Sequence, residues 1–273
     1  MRRSQLAIVS VSTRHASLDK AFDAYEAAGF RNVEFDLAPV KDWLTEGHTT
    51  DELRAKLAAH DLRFVGGLGP VVECFTSAES QQANKEFVLA NASLVEKLGG
   101  SVLGVGTDGP PEPSLAAIDT VAARFRDLAG AIEGLNITIA LEFNWSPLIR
   151  SLQSAVLVCE KVAHPQVGVL FDPAHYYTTP TKTEHLDARA GRWIRHVHLD
   201  DMGDKPADLS DCNSDRVLPG EGVLDLRALI ATLESHGYTG FYSIEMFNES
   251  LWQVSAEEAA HRCFQSLLPL CTE

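Results

Sequence analysis

Short apolar, β-branched runs recur along the chain at Leu6–Val11, Asn32–Asp36, Leu62–Val65, Val102–Val105, Ile137–Glu142, Val167–Asp172, Ile194–His198 and Phe241–Glu245. Their length and composition are those of strands covered on both faces. Between them lie stretches with helical periodicity, Ser17–Ala28, Thr50–His60, Ser80–Leu98, Ser114–Glu133, Leu152–Val162, a weakly patterned Lys182–Arg192 and Leu224–His236, with Ser255–Leu268 after the last strand. Strands that alternate with helices pair in parallel, and eight repeats predict closure into a (β/α)8 barrel, an α/β fold spanning 1–273 as one domain. An open doubly wound sheet is the competitor. It carries a glycine fingerprint after its first strand, where this chain has Ser10, Ser12, Thr13, Arg14 and His15.

The junctions refine this reading. AAGFRNVEF, KLGGSVLGV, EGLNITIAL and SHGYTGFYSI each join a helix end to a buried strand, so Gly29, Gly99, Gly134 and Gly237 are predicted in the left-handed position after a helix. Ser17, Thr50 and Ser255 are predicted N-caps, and Ser255 with Glu258 reads as a capping box.

In a closed barrel, alternate strand residues face the axis and the active site lies at the C-terminal mouth. Four successive strands end in a metal-type ligand: IALEFNW in Glu142, VLFDPAH in Asp172, RHVHLDD in His198 and YSIEMFN in Glu245. Their parity agrees. Ala140, Leu170, His196 and Ser243 share the inner face with them, while Leu141, Phe171, Val197 and Ile244 face the helices. Three carboxylates at one mouth raise one another's pKa unless a cation neutralises them, and oxygen ligands with a single imidazole suit Mn²⁺, Mg²⁺, Co²⁺ or Zn²⁺. His196 lies one layer below and is predicted to pack.

The strings IALEFN, FDPAH, HVHLDD, DRVLPGEGVLD and YSIEMFN resemble the sugar phosphate isomerase/epimerase family, the xylose-isomerase-like TIM barrels, over essentially the whole chain and most densely from Ala140 to Ala260. Within that family the likeness is greatest to inosose isomerases of inositol catabolism, whose tail resembles NESLWQVSAEEAA. The resemblance implies one divalent metal ion on Glu142, Asp172, His198 and Glu245, with Glu142 and Glu245 as the catalytic acid–base pair. It also implies substrate contacts from His175 and Arg216. The implied reaction is isomerisation or epimerisation of a small ketose-like polyol, an inosose-type sugar or cyclitol, by proton transfer through a metal-bound enediolate. A dehydratase acting on 3-dehydroshikimate or inosose is the alternative, because the same groups could expel a β-hydroxyl.

Charge and composition remove other classes. With 23 Lys+Arg against 38 Asp+Glu, a net charge of −15 makes a nucleic-acid partner a poor expectation. An apurinic-endonuclease-type phosphodiesterase would further need histidines on strands two and three, where the chain has Glu34–Phe35–Asp36 and Phe64–Val65–Gly66–Gly67. A sugar-binding module without catalysis would have no use for paired glutamates. No apolar window suggests a membrane span, and five dispersed cysteines without a CxxC pair suggest reduced thiols in the cytoplasm. The absence of a Lys/Arg cluster favours an unphosphorylated substrate, and homo-oligomerisation is compatible with all of this. Trp145, Phe247 and Trp252 follow strands five and eight, as pocket walls or rim packing. The aspartate-rich Asp201–Asp215 stretch reads as a lid or a solvated loop.

Overall fold

The computed structural model describes residues 1–144 and 146–272; Trp145 lies outside the described residues. The described residues form ten strands: β1 Leu6–Val9, β2 Asn32–Asp36, β3 Arg63–Leu68, β4 Val102–Val105, β5 Thr138–Glu142, β6 Val167–Phe171, β7 Ile194–Leu199, β8 Asp201–Met202, β9 Arg216–Val217 and β10 Tyr242–Ile244. Eight of them close a parallel barrel in the order β1-β10-β7-β6-β5-β4-β3-β2. The predicted (β/α)8 architecture is the observed one. The remaining two, β8 and β9, make a small antiparallel ribbon above the mouth.

The helices are α1 Leu18–Ala28, α2 Leu37–Thr45, α3 Thr50–Ala59, α4 Ala78–Leu98, α5 Leu115–Ala131, α6 Leu152–Val162, α7 Pro173–Thr178, α8 Ala188–Gly191, α9 Leu226–Ser235, α10 Glu249–Trp252 and α11 Ala256–Leu267. None is long and apolar enough to cross a membrane. Leu141, Phe171, Val197 and Ile244 join the core between barrel and helices, as their parity requires. At the axis, a Cβ on Gly104 would lie 2.8 Å from Leu170 Cδ1, so glycine there makes room for the inward leucine.

Several expectations need correction. Lys182–Arg192 is not one helix but a turn of 3-10 helix at Thr183–His185 and the short α8, because its apolar positions do not form a continuous stripe. The helices α2, α7 and α10 were not anticipated; each starts behind a capping side chain (Asp36, Asp172, Asn248) rather than a long amphipathic run. The cap of α3 is Thr49, not Thr50, in a reciprocal capping box with Glu52. Ser17 precedes α1 without a side-chain cap bond. Ser255 does cap α11 through Glu258 N, but the Glu258 carboxylate turns to Arg262 Nε at 2.7 Å instead of completing a box. Gly134 is not left-handed; Ile132 ends α5, and the turn closes through Leu135 N to Ile132 O at 2.8 Å.

Gly29, Gly99 and Gly237 do adopt positive φ. At Gly29, with φ +108°, an added Cβ would also lie 2.9 Å from the Phe264 ring of α11, whereas at Gly99 nothing lies within 4 Å. Gly99→Ala is therefore expected to lose only the left-handed penalty of about 1–2 kcal/mol. Gly29→Ala should lose more, because it also pushes α11 off α1. Urea unfolding of both variants checks this, and equal losses would show that Phe264 swings aside freely.

Candidate active site

The site begins with what each strand does as it ends. Asp172 follows β6 in the FDP sequence and caps α7: its Oδ1 accepts from His175 N at 3.0 Å, and Pro173 at the first helical position needs no such partner. Capping fixes the carboxylate with Oδ2 turned inward, and the single helical turn lifts His175 over the mouth. His198, on β7, is fully buried at the axis. Glu142 and Glu245 close the ring from β5 and the chain just after β10.

The four side chains predicted from strand parity do converge. One ligand atom from each of Glu142, Asp172, His198 and Glu245 lies within 4.8 Å of all the others. His198 Nδ1 is 3.3 Å from Glu245 Oε2, 3.7 Å from Asp172 Oδ2 and 3.9 Å from Glu142 Oε1. Asp172 Oδ2 and His198 Nδ1 are both buried and neither has a hydrogen-bond partner among the described residues. Arg216 offsets part of the carboxylate charge, with Nη2 3.1 Å from Asp172 Oδ2, but the unpaired His198 Nδ1 still faces three carboxylates, and the set fits a divalent cation, with three oxygen donors and one imidazole nitrogen.

The electrostatics separate the two glutamates. Burial pushes the Glu142 carboxyl up; His175 opposes this, and Glu245 and Asp172 add to it. Burial acts in the same sense at Glu245, but His198 and Arg216 overcome it and hold that carboxyl below the ordinary range. Of the pair, Glu142 is the one that more readily carries a proton.

Arg216 was expected to contact substrate. It borders the cavity above the ring yet is 1% exposed, and its guanidinium is bonded to neighbouring protein groups. Nε donates to Cys212 O at 2.6 Å, Nη1 to Glu245 Oε2 at 2.8 Å and Glu245 O at 3.1 Å, while Asp200 Oδ2 lies 2.6 Å from Nη1 and Asp172 Oδ2 3.1 Å from Nη2. Burial disfavours its charge, but Asp172, Asp200 and Glu245 together keep it protonated. Asp200 also accepts from Ala174 N at 3.0 Å, tying the end of β7 to α7. The next residue, Asp201, accepts from Gly220 N, Gly222 N and Leu224 N and so organises the Pro219–Gly222 turn. Gly222 is needed because a Cβ there would collide with Asp201 Oδ1 and Met202 O.

Above the ring is a cavity of about 440 Å³ lined by Glu142, His175, Arg216, Glu245, Asn144 and Asn213, among others, with Leu68, Val71 and Phe247 as apolar walls. His175 sits 3.6 Å through Nε2 from Glu142 Oε1, and its buried Nδ1 has no hydrogen-bond partner among the described residues. Trp252, the other aromatic considered for the wall, instead packs at the rim, with Nε1 donating to Val11 O at 2.9 Å and Arg14 stacked on its ring. The Asp201–Asp215 stretch forms a side wall: β8 pairs with β9, Cys212 is buried, and Asn213 faces the cavity.

Glu34 and Asp200 were not singled out from sequence. For Glu34 the signal existed, since Val33 and Phe35 are apolar and point to the helices, leaving Glu34 on the axis side of β2. His196 is buried one layer down, as predicted, with Nε2 2.6 Å from Glu34 Oε2.

The profile of the xylose isomerase-like TIM barrel family matches residues 22–267, and the chain belongs to that family. It is 32% identical to the inosose isomerase of Bacillus velezensis over 135 residues, 48% of each chain. The match thus spans about half the length of that curated relative. Similarity to the 3-dehydroshikimate dehydratase of Pseudomonas aeruginosa runs over 99% of this chain and 42% of the relative, at 24% identity. A crystal structure of the IolI protein with a bound zinc atom superposes with a TM-score of 0.85 over 97% of each chain, at 20% identity, a likeness of fold.

Proposed function

We propose that the chain is a divalent-metal-dependent isomerase or epimerase of a small, unphosphorylated ketose-like polyol, of inosose type. The observation that carries this reading is the convergence of Glu142, Asp172, His198 and Glu245 beneath a polar cavity. Those four residues would hold the metal, whose chemistry when bound is Lewis-acid polarisation of a carbonyl and stabilisation of charge that develops on oxygen. The likeness to the Bacillus inosose isomerase supports the substrate class.

The chain's own residues supply the proton transfers. Glu142 and Glu245 approach the cavity from β5 and the end of β10, so one carboxylate can take the proton from a carbon next to the carbonyl while the other returns one to the neighbouring carbon or opposite face. His175, which lines the cavity, would hydrogen-bond a substrate hydroxyl. Arg216 holds Asp172 and Glu245 in place and keeps Glu245 ionised. Its charge is already shared among three carboxylates, and no lysine lines the cavity among the described residues, which leaves no free cation for a phosphate.

The expected result with keto-inositol in D₂O is solvent deuterium at the carbon beside the carbonyl of both recovered and isomerised ketone, read by mass spectrometry. A dehydratase, which the long match to the Pseudomonas enzyme makes the second reading, would instead release water and generate an enone absorbing in the ultraviolet. No exchange with any keto-inositol, ketohexose or 3-dehydroshikimate after metal reconstitution would contradict both.

A further inference from the structure

We infer that Glu34 is a positioning residue for the candidate metal centre: its buried carboxylate accepts a hydrogen bond from Nε2–H of His198 and leaves the Nδ1 lone pair aimed at the space between Glu142, Asp172 and Glu245. This rests on the metal-dependent reading above. Glu34 lies on β2, across the barrel from β7, and is 0% exposed. Its Oε1 is 3.3 Å from His198 Nε2, and its Oε2 is 2.6 Å from His196 Nε2, which also meets Ser243 Oγ at 3.3 Å.

A carboxylate only accepts, so whichever imidazole nitrogen faces it must carry the hydrogen. On His198, Nε2 is the nitrogen in hydrogen-bonding geometry with a carboxylate, whereas Glu245 Oε2, also 3.3 Å away, makes no hydrogen bond to Nδ1. The opposite nitrogen is then bare in the neutral ring, and it is this Nδ1 that lies 3.3–3.9 Å from the three carboxylates and has no hydrogen-bond partner among the described residues. With Nε2 bare instead, a buried lone pair would face Glu34 while an N–H pointed into the ligand ring. A carboxylate on the far side of a metal-binding imidazole fixes both its tautomer and its orientation. His196 has a distinct part. By holding Oε2 it stops the Glu34 carboxylate from rotating, so Oε1 stays on His198. Glu34 could otherwise be there only to accompany His196, and the two cases differ in what they do to metal binding.

Binding of Co²⁺ alone, measured by competition with a chromophoric chelator, separates them. Glu34→Gln is expected to weaken Co²⁺ binding about 10–100-fold while far-ultraviolet circular dichroism stays native. Unchanged affinity in the folded variant would overturn the inference while leaving the metal centre standing. Failure of the wild-type protein itself to bind Co²⁺ would overturn both together. Should Glu34→Gln not fold, the histidine ring tautomers of the Zn²⁺-loaded wild-type protein decide, from long-range ¹H–¹⁵N correlations with His198 assigned by its loss in His198→Asn. A hydrogen on His198 Nε2 with Nδ1 bare of hydrogen is expected, and the reverse tautomer would overturn the inference.

Discussion

Glu245→Gln is expected to lower the rate of deuterium exchange and of isomerisation by about 10²–10⁴-fold at saturating metal. The carboxylate lies 3.3 Å through Oε2 from His198 Nδ1 and 2.8 Å from Arg216, and it also borders the cavity. The amide keeps the shape but loses both the negative charge and the capacity to take a proton. Glu142→Gln should lower the rate of isomerisation by the same order for the same reason. If the two glutamates carry separate proton transfers, one of the variants retains exchange at the first carbon while isomerisation is blocked. Retention of near-wild-type turnover by both variants at saturating metal would remove the glutamates from the mechanism.

Arg216→Met should have the largest effect on stability. The side chain is among the largest fully buried ones, and its removal leaves Asp172, Asp200 and Glu245 facing one another without their shared cation. Breaking a buried pair in this way costs about 3–5 kcal/mol, or roughly 6–20 °C in Tm for a chain of this size. The pH dependence has a definite sign. Without Arg216, the buried carboxylates bind protons more readily folded than unfolded, so the penalty is full at high pH and shrinks as pH falls through their raised folded-state values. The Tm gap between wild type and variant is therefore expected to be wider at pH 8 than at pH 5. On the proposed reading, added divalent metal should raise the Tm of the variant, because it would bind the folded ring. A gap that is small, or that widens toward acid, would mean that Arg216 does not neutralise this cluster. Thermal unfolding scans at the two pH values are sufficient.

The parts of the site that could be read from sequence are those that follow from strand period. Glu142, Asp172, His198 and Glu245 each end an apolar run, and the two-residue alternation puts them on the axis side without further information. The barrel itself followed from the same rhythm of strand and helix. What escaped is set by longer-range geometry. The resemblance implied a substrate contact from Arg216, which does border the cavity, but its enclosure by Asp200, Asp172 and Glu245 from three different elements is visible only in the folded chain. Asp200 follows β7 in a pair of aspartates with opposite duties, one on the arginine and the other on the Pro219–Gly222 turn, and adjacency in sequence does not separate them. The short helix α7 was missed for a local reason. Its six residues carry no amphipathic stripe, and what forms it is a capping aspartate followed by proline. That same cap turns Asp172 Oδ2 toward His198 Nδ1, so the unanticipated helix and the predicted candidate ligand come from one feature.

Anomalous scattering from crystals grown with Mn²⁺ or Zn²⁺, collected on both sides of the metal's absorption edge, addresses the central claim most directly. The expected map has one strong peak per chain in contact with Glu142, Asp172, His198 and Glu245, and no peak there in Asp172→Asn crystals soaked alike. A wild-type map empty at that position under saturating metal, or a peak held by other residues, would contradict the account.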